Sequence, residues 1–303
     1  MTAVLEATGL HKRFGKLVAV EEVSLHLAPG EVLAFLGPNG AGKTTTIKML
    51  AGLLFPDQGQ VRLMGKDPHR DPWALRHLGA VLEGNRNVYW RMTAQENLVY
   101  FGVARGLRFA EASRRAQNIL EQLGLVEKSR TEVRHLSRGM QQKLSLGVAL
   151  MHHPELLLLD EPTLGLDVES ALRVEEMVRG LAREGKAILL TTHQLEVAQR
   201  LASRLAIIQR GKILLEGRTA EVLGRFAGEH YVVELETPPP LPPERLASLR
   251  ALGLEGEGPS YVYHGDGEGL WRLLEALKPW PLKKVARAET DLLEVFLKVV
   301  GRA

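Results

Sequence analysis

The chain contains no cysteine. That excludes disulfides and thiolate metal sites, and it suits a reducing compartment. No stretch approaches the roughly 20 consecutive apolar residues of a membrane-spanning helix. The opening "MTAVLEATGLHKRFG" lacks the apolar core of a secretory leader. Charge of one sign is not in excess either: 39 basic residues against 36 acidic give a net +3. Such near-balance argues against nucleic acid or another acidic partner. Internal repeats and coiled-coil heptads are missing too. These absences lead to the expectation of a cytoplasmic protein; any work at a membrane would leave the spanning to another chain.

What is present is 303 residues, 45% apolar and 25% charged, ordinary globular composition and enough chain for two domains. Short apolar runs alternate with amphipathic segments. "EVLAFLG" (31–37), "ELLLLDEP" (155–162) and "KAILLTTH" (186–193) read as buried strands. "KTTTIKMLAGLL" predicts a helix over 43–54, and 110–124 and 169–185 predict two more. Leu205 to Gly217 reads as a hairpin turning at Arg210-Gly211. This alternation predicts an α/β layer fold with a largely parallel sheet. Its character changes near Phe226, where strand–helix repeats in about eighty residues and prolines precede a helix start. The expected domains are 1–225 and 226–303, the second a small α/β domain.

"GPNGAGKTT" (37–45) fits GxxxxGK[ST], with a predicted strand before it and a helix after. Its run Gly37, Pro38, Asn39, Gly40, Ala41, Gly42 lets backbone N–H groups turn toward phosphate oxygens, and the helix start adds partial positive charge. Lys43 is placed to reach the β- and γ-phosphates and the Thr44 hydroxyl to ligate Mg²⁺, with Thr45 completing the loop. In "LLLLDEP", Asp160 ends a strand where it can hold Mg²⁺, and Glu161 can orient or deprotonate an attacking water. His193 ends another strand and is a candidate γ-phosphate contact. Adjacent His152 and His153 cannot share one helix face and are assigned no metal.

These motifs, with "LSRGMQQKL" (136–144), resemble those of ABC transporter nucleotide-binding subunits over about residues 3 to 220. The resemblance implies a P-loop ATPase core with a helical signature subdomain. It implies that Phe14 stacks on adenine and that "LGLD" (164–167) is the D-loop. Ser137 and Gly139, read as preceding a helix, would cap the γ-phosphate bound by a second subunit. ATP and Mg²⁺ are the implied cofactors. The implied partners are a homodimer or a homologous subunit, plus a separate transmembrane permease. The location implied is cytoplasmic, peripheral on the inner face of the membrane. Arg138 and Met140 depart from the usual LSGGQ signature toward the "S-x-G-M" of the drug- and polysaccharide-export branch. A soluble ABC-type ATPase acting on nucleic acid or ribosomes is the alternative. The coiled coils or second cassette of such proteins are lacking here. A further possibility is that the second domain binds a regulatory ligand.

"GAVLEGNRNVYW" (79–90) is the remaining oddity. An acid, Glu83, ends its strand where the family normally has Gln. Glu83 keeps the acceptor oxygens that Mg²⁺ requires. The resemblance implies that it sits near the metal, while the loop to Trp90 faces a coupling helix of the permease. Tyr89 and Trp90 suit a groove for such a helix.

Overall fold

The structure, a computed structural model, describes residues 3–82, 88–226, 230–236, 243–257, 259–287 and 291–301. It divides into two compact units, Met1–Thr219 with Phe296–Ala303, and Ala220–Val295.

In the first unit the elements run β1 (Leu5–Phe14), β2 (Leu17–Leu27), β3 (Val32–Leu36), α1 (Lys43–Leu50), β4 (Gln58–Leu63) and β5 (Leu78–Val81). Then come α2 (Ala94–Ala104), α3 (Phe109–Leu123), α4 (Arg138–Leu150), β6 (Leu156–Asp160), α5 (Val168–Arg183), β7 (Ala187–Thr191), α6 (Leu195–Leu201), β8 (Arg204–Gln209) and β9 (Lys212–Arg218). Every residue of β3, β6 and β7 is buried, as apolar runs covered on both faces must be. They sit at the centre of a six-stranded sheet of order β5-β6-β7-β3-β8-β9. All its pairings are parallel except β8–β9, which is the expected hairpin. Arg210 and Gly211 have φ 48° and 81°, the left-handed pair that a tight two-residue hairpin turn uses.

A second sheet, β2-β1-β4, is antiparallel. It is not anticipated from the sequence, because register shifts along β1 break the alternation that marks a half-buried strand. Leu5, Val20, Leu25 and Val61 from this sheet share one apolar cluster with Phe35, Ile47, Leu158 and Leu189. Each such fully buried side chain contributes roughly 1.5–3 kcal/mol, and the cluster clamps α1 between the two sheets. The helix predicted to reach residue 54 stops at Leu50. Gly52 has φ 70°, outside the helical region, and Leu53 is left exposed.

The helical part of this unit is α2, α3 and α4. Thr93 opens α2 with a reciprocal capping box to Glu96. In α3, Ala112, Ala116, Ile119, Leu120 and Leu123 form the buried stripe, and Gly124 ends the helix at φ 64°.

The chain continues with α7 (Thr219–Phe226), β10 (His230–Leu235), α8 (Pro243–Ala251), β11 (Leu254–Glu257), β12 (Ser260–His264), α9 (Gly267–Ala276), β13 (Leu282–Arg287) and α10 (Leu292–Val300), which make the second unit except that Thr219 and α10 from Phe296 onward belong to the first. The sheet of the second unit, β11-β12-β10-β13, is antiparallel throughout. One face carries Val233, Leu235, Leu254, Tyr261 and Tyr263, which cluster with Leu249 of α8 and Leu273 of α9.

Candidate nucleotide site

β3 delivers Gly37 to the carboxyl edge of the parallel sheet, and α1 begins at Lys43. The intervening turn depends on missing side chains. A Cβ on Gly37 would lie 2.3 Å from the Ile208 carbonyl oxygen, and one on Gly42 would lie 2.4 Å from that of Ala19. Gly42 also has φ 109°, which side chains rarely adopt. Pro38, Asn39 and Gly40 form an exposed tip and Ala41 is buried. Lys43 Nζ donates to the Gly37 and Pro38 carbonyls at 2.6 and 3.1 Å. Thr44 is exposed on the first turn of α1 and Thr45 half-buried.

Asp160 and Thr191 are register partners on β6 and β7. The Thr191 hydroxyl donates to Asp160 Oδ1. Asp160 Oδ2 is buried and has no partner among the described residues. Glu161 follows with φ 50°, a left-handed conformation that costs a non-glycine residue about 1–3 kcal/mol. That kink breaks the strand's side-to-side alternation. The Glu161 N–H donates to the Thr191 carbonyl at 3.1 Å. Its carboxylate Oε1 is 3.0 Å from His193 Nδ1, and Oε2 is buried without a partner among the described residues. Two buried, unsatisfied carboxylate oxygens are costly unless a cation or donor meets them. With hydroxyls as the other donors, this all-oxygen set fits Mg²⁺.

A cavity of about 390 Å³ joins Gly37, Pro38 and Asn39 to Glu161, Thr192 and His193. Phe296 also lines it. No motif in the sequence points to Phe296; only its place in an amphipathic helix suggests that one of its faces is covered.

Phe14, Ser137 and Gly139 lie on different elements and do not line this cavity. Phe14, at the end of β1, is half exposed, with Lys12 Nζ 5.8 Å from its ring centre. Ser137 is the N-cap of α4, accepting from the Met140 N–H at 3.3 Å. Gly139 lies within the first turn of α4, not ahead of it. A Cβ there would be 2.6 Å from Ser170 Oγ, so the glycine permits α4 to meet the start of α5. Asp167 caps α5, and the Ser170 backbone N–H, then its hydroxyl, hold the Asp167 carboxyl below its ordinary value. His152 Nε2 lies 2.9 Å from the Leu78 carbonyl oxygen, and burial pushes its pKa down to about 4.

Glu83 lies outside the described residues. Tyr89 stacks on Phe101 at 5.6 Å and meets Tyr100 edge-on at 5.1 Å, yet stays half exposed, as does Trp90. Beside them an apolar groove of about 780 Å³ runs along α2, lined by Val99, Tyr100, Val103 and Phe109 among others. Phe109 and Tyr100 are exposed. The sequence does not single out this groove. The residue that organises its rim, Asn97, is fully buried. Asn97 accepts from the Tyr89 N–H at 2.7 Å and donates to the Tyr89 and Thr93 carbonyls at 3.0 Å each.

A glycine turn from strand to helix, beside an acid-ended strand of the same parallel sheet, defines a P-loop nucleoside triphosphatase. The ABC transporter family profile matches residues 20–164. Nod factor export ATP-binding protein I of Paraburkholderia xenovorans is 39% identical over 303 residues, covering 99% of this chain and 98% of that protein. The linearmycin resistance ATP-binding protein of Bacillus subtilis is 35% identical over 76% of this chain and 74% of its own length. A solved ATP-binding subunit of an ABC transporter superposes with a TM-score of 0.68 at 31% identity, over 74% of this chain and 93% of that one. The chain belongs to the ABC transporter family, as an ATP-binding subunit that hydrolyses ATP with Mg²⁺.

Proposed function

We propose that this chain is the ATPase of an exporter of the drug- and polysaccharide-export branch, driving a separate membrane permease. The observation that carries this reading is the end-to-end likeness to a Nod factor export ATP-binding protein, 39% identical over 99% of the chain. The names of the linearmycin resistance protein and of the daunorubicin/doxorubicin resistance protein of Streptomyces peucetius, 39% identical over 73% of this chain, support the same branch. No helix among the described residues is long and apolar enough to cross a membrane, and the reading assigns the spanning part to a separate chain. The proposed location is the inner face of the cell membrane.

In this reading the loop 37–45 holds the triphosphate, with Lys43 leaving its own loop carbonyls for phosphate oxygens. Thr44, Asp160 and Glu83 hold Mg²⁺, which supplies charge neutralisation at the β- and γ-phosphates. Glu161 accepts the proton of the attacking water, and His193 orients Glu161 and the γ-phosphate. Phe14 stacks on adenine. Ser137 and Gly139, remote from the cavity of their own chain, serve the nucleotide of a second copy in a head-to-tail homodimer. That dimer closes on ATP and opens on hydrolysis. The permease is proposed to contact Glu83 to Trp90 and the adjoining groove along α2, whose aromatic lining suits an amphipathic helix. Residues 1–225 form the ATPase domain and 226–303 an accessory one.

The test is to affinity-purify the full chain from detergent-solubilised membranes of its own host. The expected result is a multi-spanning membrane protein copurifying with ATPase activity. Copurification with nucleic acid or ribosomes in its place would overturn the reading.

A further inference from the structure

In the second unit, β10 and β12 pair with His230 directly opposite His264. Directly opposed residues of an antiparallel pair project from the same face of the sheet. Here that is the face opposite to the Val233, Leu235, Tyr261 and Tyr263 core, since neighbouring positions alternate. The two imidazoles meet edge to face at 4.4 Å between ring centres, with Nδ1 of one 2.9 Å from Nδ1 of the other. Across the next strand, Glu255 of β11 sets Oε2 3.3 Å from His264 Nε2. The His264 side chain is 42% exposed, so the pair is open to solvent.

A neutral imidazole has one N–H and one lone pair. The Glu255 carboxylate can only accept, so the His264 tautomer that suits it carries its proton on Nε2 and turns the Nδ1 lone pair toward His230. Either the His230 Nδ1–H fills that gap, or two lone pairs converge. A carboxylate beside the far nitrogen of a histidine is also placed to orient a metal-bound imidazole once the two bond. No group of three His, Asp or Glu side chains among the described residues is placed to hold a metal ion, so a site here would have two protein ligands only.

We propose that His230 and His264 chelate a divalent transition-metal ion through their Nδ1 atoms, with Glu255 as the orienting carboxylate and water completing the coordination. The spacing admits one shared ion. Two nitrogens 2.9 Å apart, each about 2.05 Å from a shared ion, subtend about 90° there. That is the cis angle of square-planar or octahedral coordination, suited to Ni²⁺ and Cu²⁺. A tetrahedral Zn²⁺ angle would need about 3.3 Å. Hard cations such as Mg²⁺ prefer oxygen, so the site does not compete for the ion of the nucleotide site. Binding would lock β10 to β12 across their open ends, and so stiffen the second unit.

The test is calorimetric titration of NiCl₂ into the full-length protein in a buffer that does not chelate metals. One Ni²⁺ per chain is expected at this site. His230→Asn and His264→Asn should each weaken it by at least about tenfold, and Glu255→Gln, which leaves both imidazoles in place, by about tenfold. Metal-free melting curves identify any variant that fails to fold; Glu255→Gln then carries the comparison. Wild-type affinity no greater than that of the variants, or no Ni²⁺ bound, would overturn the site and leave a hydrogen-bonded histidine pair.

Discussion

His193 Nδ1 stands 3.0 Å from Glu161 Oε1, joining the ends of two adjacent strands across the mouth of the nucleotide cavity. The contact uses one oxygen of the carboxylate and leaves Oε2 buried without a partner among the described residues. That oxygen is the free acceptor for the attacking water in the proposed role. Glu161→Gln keeps the size and polarity of the side chain but removes its basicity. Turnover should fall on the order of a hundredfold or more, while nucleotide affinity is retained and a closed dimer accumulates with Mg-ATP. Light scattering after size exclusion reads the dimer, and phosphate release reads the rate. His193→Ala should also lower kcat, on the order of a hundredfold, and leave ATP affinity nearly unchanged. Normal turnover in Glu161→Gln would remove Glu161 from its role.

His152 sets a pH dependence of stability. Burial holds its folded pKa at about 4, below the ordinary value of about 6.5. Its Nδ1 is buried with no partner among the described residues to accept a proton. Between those two values the unfolded chain binds the proton and the folded one does not, so stability falls as pH drops from about 6.5 toward 4. The loss is at most about 3 kcal/mol. Carboxylates held below their ordinary values, such as Glu96 bonded by Thr93 and Asp167 bonded by Ser170, lose stability only in more acid solution. Urea unfolding at several pH values should give a flatter profile between pH 4 and 6.5 for His152→Gln. An unchanged slope would show that another group is responsible.

The parts of the fold that could be read beforehand are those where one local rule governs. The runs at β3, β6 and β7 are apolar on both faces, and the glycine loop has one conformation compatible with its chemistry. The unread parts depend on contacts distant in sequence. The bulged β1 lacks clean alternation, so its strand character is visible only once Leu5 and Val61 share a core with Phe35. Gly139 reads as a glycine left clear for a partner, yet its nearest neighbour is Ser170 of its own chain. Phe296 reaches the cavity from a segment more than a hundred residues beyond Glu161 in sequence, so no local pattern reveals it.

In the proposed reading Glu83 stands where the resemblance to the family implies Gln, and its carboxylate would meet the Mg²⁺ ion. A carboxylate there would keep the acceptor oxygen that Mg²⁺ needs and add negative charge that the ion would offset. Glu83→Gln restores the amide without removing the acceptor. It should retain at least about a third of the ATPase rate, a change under 1 kcal/mol in barrier. A loss of a hundredfold in steady-state phosphate release would mean that the carboxylate carries a specific task.

Asn97 connects the groove to the signature helix. It fixes Tyr89 through both backbone groups. The next residues are clipped further along the chain, where the Arg134 and Val133 N–H groups donate to the Trp90 and Met92 carbonyls at 3.1 and 3.0 Å. Gln141 of α4 then donates to the Val133 and Leu136 carbonyls at 3.0 Å each, one residue short of Ser137. A push on the groove rim therefore has a continuous hydrogen-bonded route to the α4 cap. Asn97→Ala leaves the Tyr89 N–H without its partner, while the Tyr89 carbonyl keeps the Met92 N–H at 3.2 Å, so the cost is about 1 kcal/mol. The melting temperature of the isolated subunit should fall accordingly. Permease-stimulated ATPase should fall by a larger factor than basal ATPase, since the glycine loop, Asp160 and Glu161 are untouched. Equal loss of both rates, measured with and without the copurified permease, would make Asn97 a support for the fold alone.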